Sequence, residues 1–248
     1  MIEVKELYKS FGDKVAVNGI TFTVEDEIYG LLGPNGSGKS TLMKMMTGIL
    51  EPTQGQVLIE GFDAAMEPLK VKEIVGYVPE TPVLYESLTP GELFDFVGKM
   101  MAVPREKLDS RVNSLVEAFE IGEYLDQFIG SLSFGTKQKV SLITALLHNP
   151  SVLVLDEAMN GLDPRSARVL REHLLESRRK GKSMVFSTHV LPLAEMICDR
   201  VGVIHKGKLV AEGTIEELRG KGSESEENLE DIFLKLTGSD AIVEALRE

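Results

Sequence analysis

The stretch "GPNGSGKST", Gly33 to Thr41, constrains this chain more than any other. It follows the apolar run "IYGLL" and precedes "LMKMM", so a strand, a Gly-rich loop and a helix are expected in immediate succession. Gly33, Pro34, Asn35, Gly36, Ser37, Gly38, Lys39, Ser40 and Thr41 meet every fixed position of G-x-x-x-x-G-K-[ST]. The glycines let backbone N–H groups curl round phosphate oxygens. Lys39 can reach the β- and γ-phosphates, and the Ser40 hydroxyl can ligate Mg²⁺. A plain turn before a helix needs neither residue.

The strands around this loop fall into two kinds. "IEVKEL", "GITFTVE" and "QVLIEG" alternate apolar and polar residues and predict an antiparallel β lobe at the front. "EIYGLLG", "SVLVLD", "SMVFSTH" and "VGVIHKG" are short apolar runs ending in polar residues or glycine. Buried parallel strands with a site at their carboxyl ends have this character.

Residues 89–147 predict a helical insert in the α/β core. Thr89-Pro90-Gly91-Glu92 is a capping box with proline at the first helical position. Leu93, Phe96, Val97, Met100 and Met101 then recur at helical spacing, as do Leu108, Val112, Leu115, Val116 and Phe119 after Pro104. The last helix starts in "SLSFGTKQKV", with Ser133 ahead of it, and stops at Asn149-Pro150. A helix start with small residues is an anion site in the making. From Gly220 the chain turns polar and acidic, "GKGSESEEN", before a short apolar face at Leu229, Ile232, Phe233 and Leu236. There is no internal repeat.

A formal net charge of −12 over 248 residues argues against a duplex nucleic-acid partner and against docking on an anionic membrane surface. It leaves a local anion site open, since screening acts beyond roughly 8 Å. Cys198, beside apolar Met196 and Ile197, is expected to be a small packed residue, and a lone cysteine suits a reducing compartment. The start of the chain resembles a charged strand rather than a signal peptide, and no apolar run approaches the ~18 residues of a membrane span. These features predict a cytosolic protein.

Asp156 and Glu157 close "VLVLDE", where strand alternation would turn the two carboxylates different ways: one toward a metal shell, one toward a water. His189 ends the next run at the same sheet edge, whereas His148, His173 and His205 read as surface or capping residues. Asp163 in "NGLDPRS" has two open readings, a helix N-cap ahead of Pro164 or a functional carboxylate.

Together these motifs resemble the ATP-binding subunit of an ABC transporter over nearly the whole chain, in the family's order. "GPNGSGKST" is similar to its Walker A, "LSFGTKQK" to its signature, "VLVLDE" to its Walker B, "NGLDP" to its D-loop and "STH" to its H-loop. The resemblance implies a P-loop NTPase core of α/β class, with an antiparallel β lobe and an inserted α-helical subdomain at about 81–149. The ATP-binding domain would span 1–219, with an acidic linker and helical extension at 220–248. It implies ATP and Mg²⁺ as cofactors, with Phe11 stacked on adenine and Lys39, Ser40 and the loop backbone holding phosphates and metal. It also implies Asp156 at the metal, Glu157 as the base polarising water, His189 on the γ-phosphate and Asp163 linking two sites. Ser133, Phe134, Gly135 and Thr136 would contact the ATP of a second ATP-binding subunit in a head-to-tail homodimer or heterodimer. Ser133 and Gly135 would have to be small and close to that phosphate. Three positions depart from the pattern: Glu80 stands in the Q-loop place, and Phe134 and Thr136 replace the common glycine and glutamine of the signature. Glu80 can still coordinate Mg²⁺, directly or through water.

Three roles fit such a chain. It could energise a separate integral membrane permease from the cytoplasmic face, act as a soluble ABC ATPase in assembly, or be a nucleotide-binding regulator that hydrolyses ATP poorly. Intact Glu157 and His189 count against the regulator. "PETPVLYESLTPGELF" and "NLEDIFLKLTG" resemble the type-2 exporter branch, in which Glu80 to Ser87 would receive a cytoplasmic helix of the permease. Pro82 and Tyr85 equally suit a plain surface loop.

Overall fold

The computed structural model describes residues 1–220 together with Phe233. The chain opens with the hairpin β1 (Ile2–Phe11) and β2 (Lys14–Val24), then β3 (Ile28–Leu32), α1 (Lys39–Met46), β4 (Gln54–Ile59), β5 (Phe62–Asp63), α2 (Pro68–Ile74) and β6 (Val75–Val78). Three helices follow: α3 (Pro90–Met100), α4 (Arg105–Phe119) and α5 (Phe134–Leu146). Next come β7 (Val152–Asp156), α6 (Pro164–Arg179), β8 (Ser183–Thr188), α7 (Leu191–Ile197), β9 (Arg200–His205), β10 (Lys208–Thr214) and α8 (Ile215–Gly220).

Strands β9-β3-β8-β7-β6 form a parallel sheet in that order, with β10 antiparallel on the β9 edge. A second, antiparallel sheet runs β2-β1-β4-β5. The continuous apolar runs of the parallel strands are explained by burial on both faces. Val152, Val154 and Val185 enter one cluster with Ile2, Phe22, Leu42 and Met43 of the β lobe and α1. Leu153, Leu155, Met184 and Phe186 enter another with Phe94, Phe119, Leu142 and Leu170 of the helices. The sheet thus clamps two layers together, and its strand ends carry the site between them.

The sequence pattern predicts neither β6 nor β10. β6 has four residues, one of them Gly76, and β10 buries only Gly213, so neither shows a clean period of two. The β1–β2 pairing also slips in register between Val4 and Ser10, which blurs the alternation of the front strands.

The insert is built as its capping box predicts. Thr89 Oγ1 accepts from the Glu92 N–H at 3.2 Å, and Glu92 Oε2 accepts from the Thr89 N–H at 2.9 Å. Its core face is displaced from the expected one: Leu93, Phe94 and Val97 are buried, while Phe96 and Met100 are 47% and 61% exposed. Gly98 causes the shift, because the bare backbone there receives the Leu108 side chain. Phe96 instead meets Tyr85 edge-on, with ring centres 6.1 Å apart.

Two histidines correct the surface reading. His148 and His173 are half-buried, and burial lowers both below the ordinary imidazole range. His148 Nε2 donates to the Val75 carbonyl at 3.2 Å, pinning the loop after α5 to β6. Cys198 packs against Gly30 as expected, and burial pushes its thiol up to about 12. Leu229, Ile232, Leu236 and the acidic stretch from Lys221 lie outside the described residues. Phe233 is helical and packs half-buried on the cluster of Leu32, Ala194, Val201 and Ile215.

Candidate functional site

β3 is buried along its length and delivers the loop 33–38 to the carboxyl edge of the sheet. Gly38 caps α1 with φ +112°, and a side chain there would run into the Ala16 carbonyl, so glycine is required. Lys39 is buried and folds back over the loop, its Nζ donating to the Gly33 carbonyl at 2.6 Å and the Pro34 carbonyl at 3.3 Å. Burial lowers its pKa, opposed by the charges of Glu157, Asp156 and Glu80. The Ser37 hydroxyl is buried with no partner among the described residues, a donor suited to a phosphate oxygen. A turn at His205–Lys208 braces this loop: the Gly207 N–H donates to the Ser37 carbonyl and the Asn18 N–H to the Gly207 carbonyl, both at 2.8 Å.

The carboxylate pair has a different geometry from the one expected. β7 ends at Asp156, and Glu157 sits in the left-handed region at φ +48°, so strand alternation does not govern the pair. Such backbone costs ~1–3 kcal/mol and persists only where surrounding contacts over-determine it. One hydroxyl does much of this: Ser187 Oγ donates to Asp156 Oδ1 at 2.7 Å and accepts from the Glu157 N–H at 2.9 Å. Ser187 is fully buried and stands two residues before His189, whose Nδ1 lies 3.0 Å from Glu157 Oε1. Sequence reasoning passed over Ser187, because a serine inside an apolar strand carries no signal until its neighbour strand is known.

A cavity of about 580 Å³ gathers Phe11, residues 35–41, Glu80, Asp156 and Glu157. It also takes in Lys14, Val15 and Ala16 from β2 and Lys206 and Gly207 from the β9–β10 turn, none of which the motifs flagged. Phe11 is half-exposed at the rim. Gly33 and Pro34 lie off the cavity wall, offering their carbonyls to Lys39. Three carboxylates and three lysines therefore face one space. Among the described residues no three His, Cys, Asp or Glu side chains form a closed metal group. The donor set, one hydroxyl and a few carboxylates beside phosphate-binding N–H groups, fits Mg²⁺ shared with a nucleotide.

Ser133, Phe134, Gly135 and Thr136 do not line this cavity. Ser133 caps α5, accepting from the Thr136 N–H at 3.2 Å, and its Oγ lies 2.9 Å from the Thr136 hydroxyl. Within this chain, what demands a small residue at 135 is not a phosphate: a Cβ on Gly135 would stand 2.5 Å from the Gly161 carbonyl. A Cβ on Gly161, at φ +76°, would likewise meet the Phe134 ring at 2.5 Å. α5 thus lies directly on the loop 157–163. Gln138 Nε2 donates to the Ala158 carbonyl at 3.0 Å, and Lys139 Nζ pairs with Asp163 at 2.6 Å. Asp163 also caps α6, accepting from the Ser166 N–H at 2.8 Å. The cap reading of Asp163 therefore holds, and these bonds, led by that to Lys139, keep its carboxyl well below the usual range.

A family profile described as "ABC transporter" matches residues 17–160, a segment holding the Gly-rich loop, Glu80, α5 and both carboxylates. The chain belongs to the ABC transporter family. The ABC transporter ATP-binding protein NatA of Bacillus subtilis (strain 168) is 34% identical over 241 residues, covering 94% of this chain and 97% of that one. The Nod factor export ATP-binding protein I of Burkholderia lata is 37% identical over 213 residues, covering 86% and 70%. A solved structure described as the ATP-binding subunit of an ABC transporter superposes with a TM-score of 0.91 at 33% identity, covering 96% of this chain and 99% of that one. The chain is an ATP-binding subunit of this family, with the fold of an ABC ATPase.

The departures from the ABC pattern now have surroundings. Glu80 adds a third carboxylate to the cavity that holds the loop, beside Asp156 and Glu157. Thr136 supplies a hydroxyl partner to Ser133, and Phe134 covers Gly161 while remaining 47% exposed.

Proposed function

We propose that this chain is the ATP-hydrolysing subunit of an exporter and acts as a head-to-tail dimer bound to a separate membrane permease. In this reading Phe11 stacks on adenine, and residues 33–41 cradle the phosphates. Ser40, Asp156 and Glu80 would hold Mg²⁺, which would supply positive charge against the phosphates. Glu157 draws a proton from the attacking water, and His189, 3.0 Å from that carboxylate, orients toward the γ-phosphate. General-base assistance of this kind is worth ~10²–10⁴ in rate.

The observation that carries the reading is a mismatch. The cavity gathers loop, carboxylates and Phe11, yet Ser133 to Thr136 of the same chain stand outside it. A second copy, or a related subunit, placing its α5 start over that cavity completes both sites. Asp163, tied to α5 through Lys139, then lies where the two sites meet.

A second cavity of about 600 Å³ supports the permease. It opens beside Glu80 between core and insert, with an apolar wall that includes Val83, Leu84, Met100 and Met101. Val83 on its wall is 84% exposed, and Tyr85, two residues on, is 62% exposed. A short cytoplasmic helix of a permease fits such a groove, and Glu80 would connect it to the nucleotide. Among the described residues no helix is long and apolar enough to cross a membrane, so membrane association would come through that partner, at the inner face of the cell membrane. The direction of transport follows the relatives named for export.

The test is Glu157→Gln. The variant is expected to bind ATP-Mg²⁺, to elute as an ATP-dependent dimer and to hydrolyse at least a hundredfold more slowly. Hydrolysis within threefold of the natural chain would overturn the role of Glu157. Affinity capture after detergent solubilisation is expected to bring down a multi-spanning membrane protein. Recovery with soluble assembly proteins alone would favour the soluble ATPase.

A further inference from the structure

We infer that Gln138 is a positioning residue for ATP hydrolysis, setting the backbone that carries Glu157 from the flank of α5. The inference rests on the reading of Glu157 as the base. Gln138 is fully buried in a helix whose other buried residues include Val140, Leu142 and Ile143. Its Nε2 donates to the Ala158 carbonyl at 3.0 Å, while its Oε1 is buried with no partner among the described residues. An amide half satisfied in a core is less favourable than an apolar side chain of the same size. Packing alone does not explain a glutamine there.

The bond falls at a place where one is needed. Glu157 is held at φ +48°, which a non-glycine residue keeps only under external constraint. Three successive peptide groups supply that constraint. The Glu157 N–H donates to Ser187 Oγ at 2.9 Å, on β8. The Glu157 carbonyl accepts from the Asn160 N–H at 2.9 Å, within the loop. The Ala158 carbonyl accepts from Gln138, on α5. The first two tie the residue to the sheet and to its own turn, and the third ties it to the insert. The orientation of the base is therefore referenced to α5, the helix whose start contacts the other subunit's nucleotide in the proposed dimer.

Gln138→Met tests this, because it conserves volume and removes only the donor and the orphan acceptor. In the purified chain, kcat is expected to fall at least tenfold, with the ATP dissociation constant within twofold and thermal stability unchanged or raised. ATP-dependent dimerisation in a Glu157→Gln background should persist. Gln138→His, whose Nε2–H reaches about as far as the amide nitrogen, is expected to restore at least a third of kcat. A folded Gln138→Met chain with kcat within threefold of the natural one would overturn the inference. So would loss of the dimer in step with kcat, which would place Gln138 at the interface. If Gln138→Met does not fold, Gln138→Leu, which also lacks a donor, carries the same tenfold expectation and the same overturning result. A natural chain that hydrolyses no ATP, or a Glu157→Gln chain as fast as the natural one, would sink the underlying reading instead.

Discussion

Two helices of this chain, α1 and α5, each begin behind a small residue, and their surroundings differ completely. α1 starts at Lys39 behind Gly38, with no side-chain cap, and its N–H groups open into a cavity walled by Asp156, Glu157 and Glu80 from other strands and loops. α5 starts behind Ser133, which spends its hydroxyl on the Thr136 N–H and lies away from that cavity. A helix N-terminus is electrostatically ready for an anion in either case. What sets α1 apart is convergence: a buried lysine, a Ser37 hydroxyl without a partner among the described residues, and acidic groups facing the same space. α5 has the start and lacks the rest.

Lys39→Ala and Ser133→Arg break the comparison most sharply. Both are expected to stop turnover, but only Lys39→Ala should weaken ATP binding to the monomer, by about 10- to 100-fold for a lost charge-assisted bond. Equilibrium binding and size-exclusion chromatography separate the two. Ser133→Arg that still dimerises with ATP in a Glu157→Gln background would remove α5 from the site.

A smaller effect is expected at Ser187, whose hydroxyl donates to the Asp156 carboxylate and accepts from the Glu157 N–H. Ser187→Ala should lower kcat about tenfold, the weight of one hydrogen bond of ~1–1.5 kcal/mol at the base, with ATP affinity nearly unchanged. Equal losses in both quantities would make Ser187 a binding residue instead.

The contact between α5 and the loop 157–163 should appear as stability. Gly161→Ala is expected to cost about 1–2 kcal/mol in denaturant unfolding, from φ +76° and the Phe134 ring together. Adding Phe134→Ala should return part of that loss. Full additivity of the two changes would show that ring and glycine do not meet.

The smallest effect concerns pH and the end of α5 remote from Ser133. Burial holds His148 and His173 below the ordinary imidazole value, so each stays neutral in the folded chain where the unfolded one protonates near about pH 6.5. The unfolded state then binds more protons, and stability falls as pH drops below that value. His148→Gln, which keeps a donor for the Val75 carbonyl, should flatten the slope of melting temperature between pH 7 and 5.5. An unchanged slope would exclude His148 as a contributor.

Legibility followed the range of the interactions involved. The loop 33–41 and the capping box at Thr89 are local and read correctly from a few adjacent residues, whereas the cap at Asp163 is one of two readings its neighbours leave open. The paired strands and the insert were legible through period and length. The core face of α3 was displaced by one non-local fact, the Leu108 side chain seated on Gly98. β6, too short to show a period, was invisible without its partner β7. Gln138 and Ser187 looked like ordinary polar residues, because their partners lie 20 and 30 or more positions away.

The sequence by itself determined that this chain has a Gly-rich loop between strand and helix, two carboxylates and a histidine at one sheet edge, in the order of the ABC family. Those are properties of short segments, and local backbone chemistry specifies them. Only the tertiary structure decided that Glu157 leaves the strand, that Ser187 ties the Asp156 carboxylate to the Glu157 N–H and that α5 rests on the loop 157–163. Such choices depend on which distant surfaces pack together, and no window of adjacent residues contains that information.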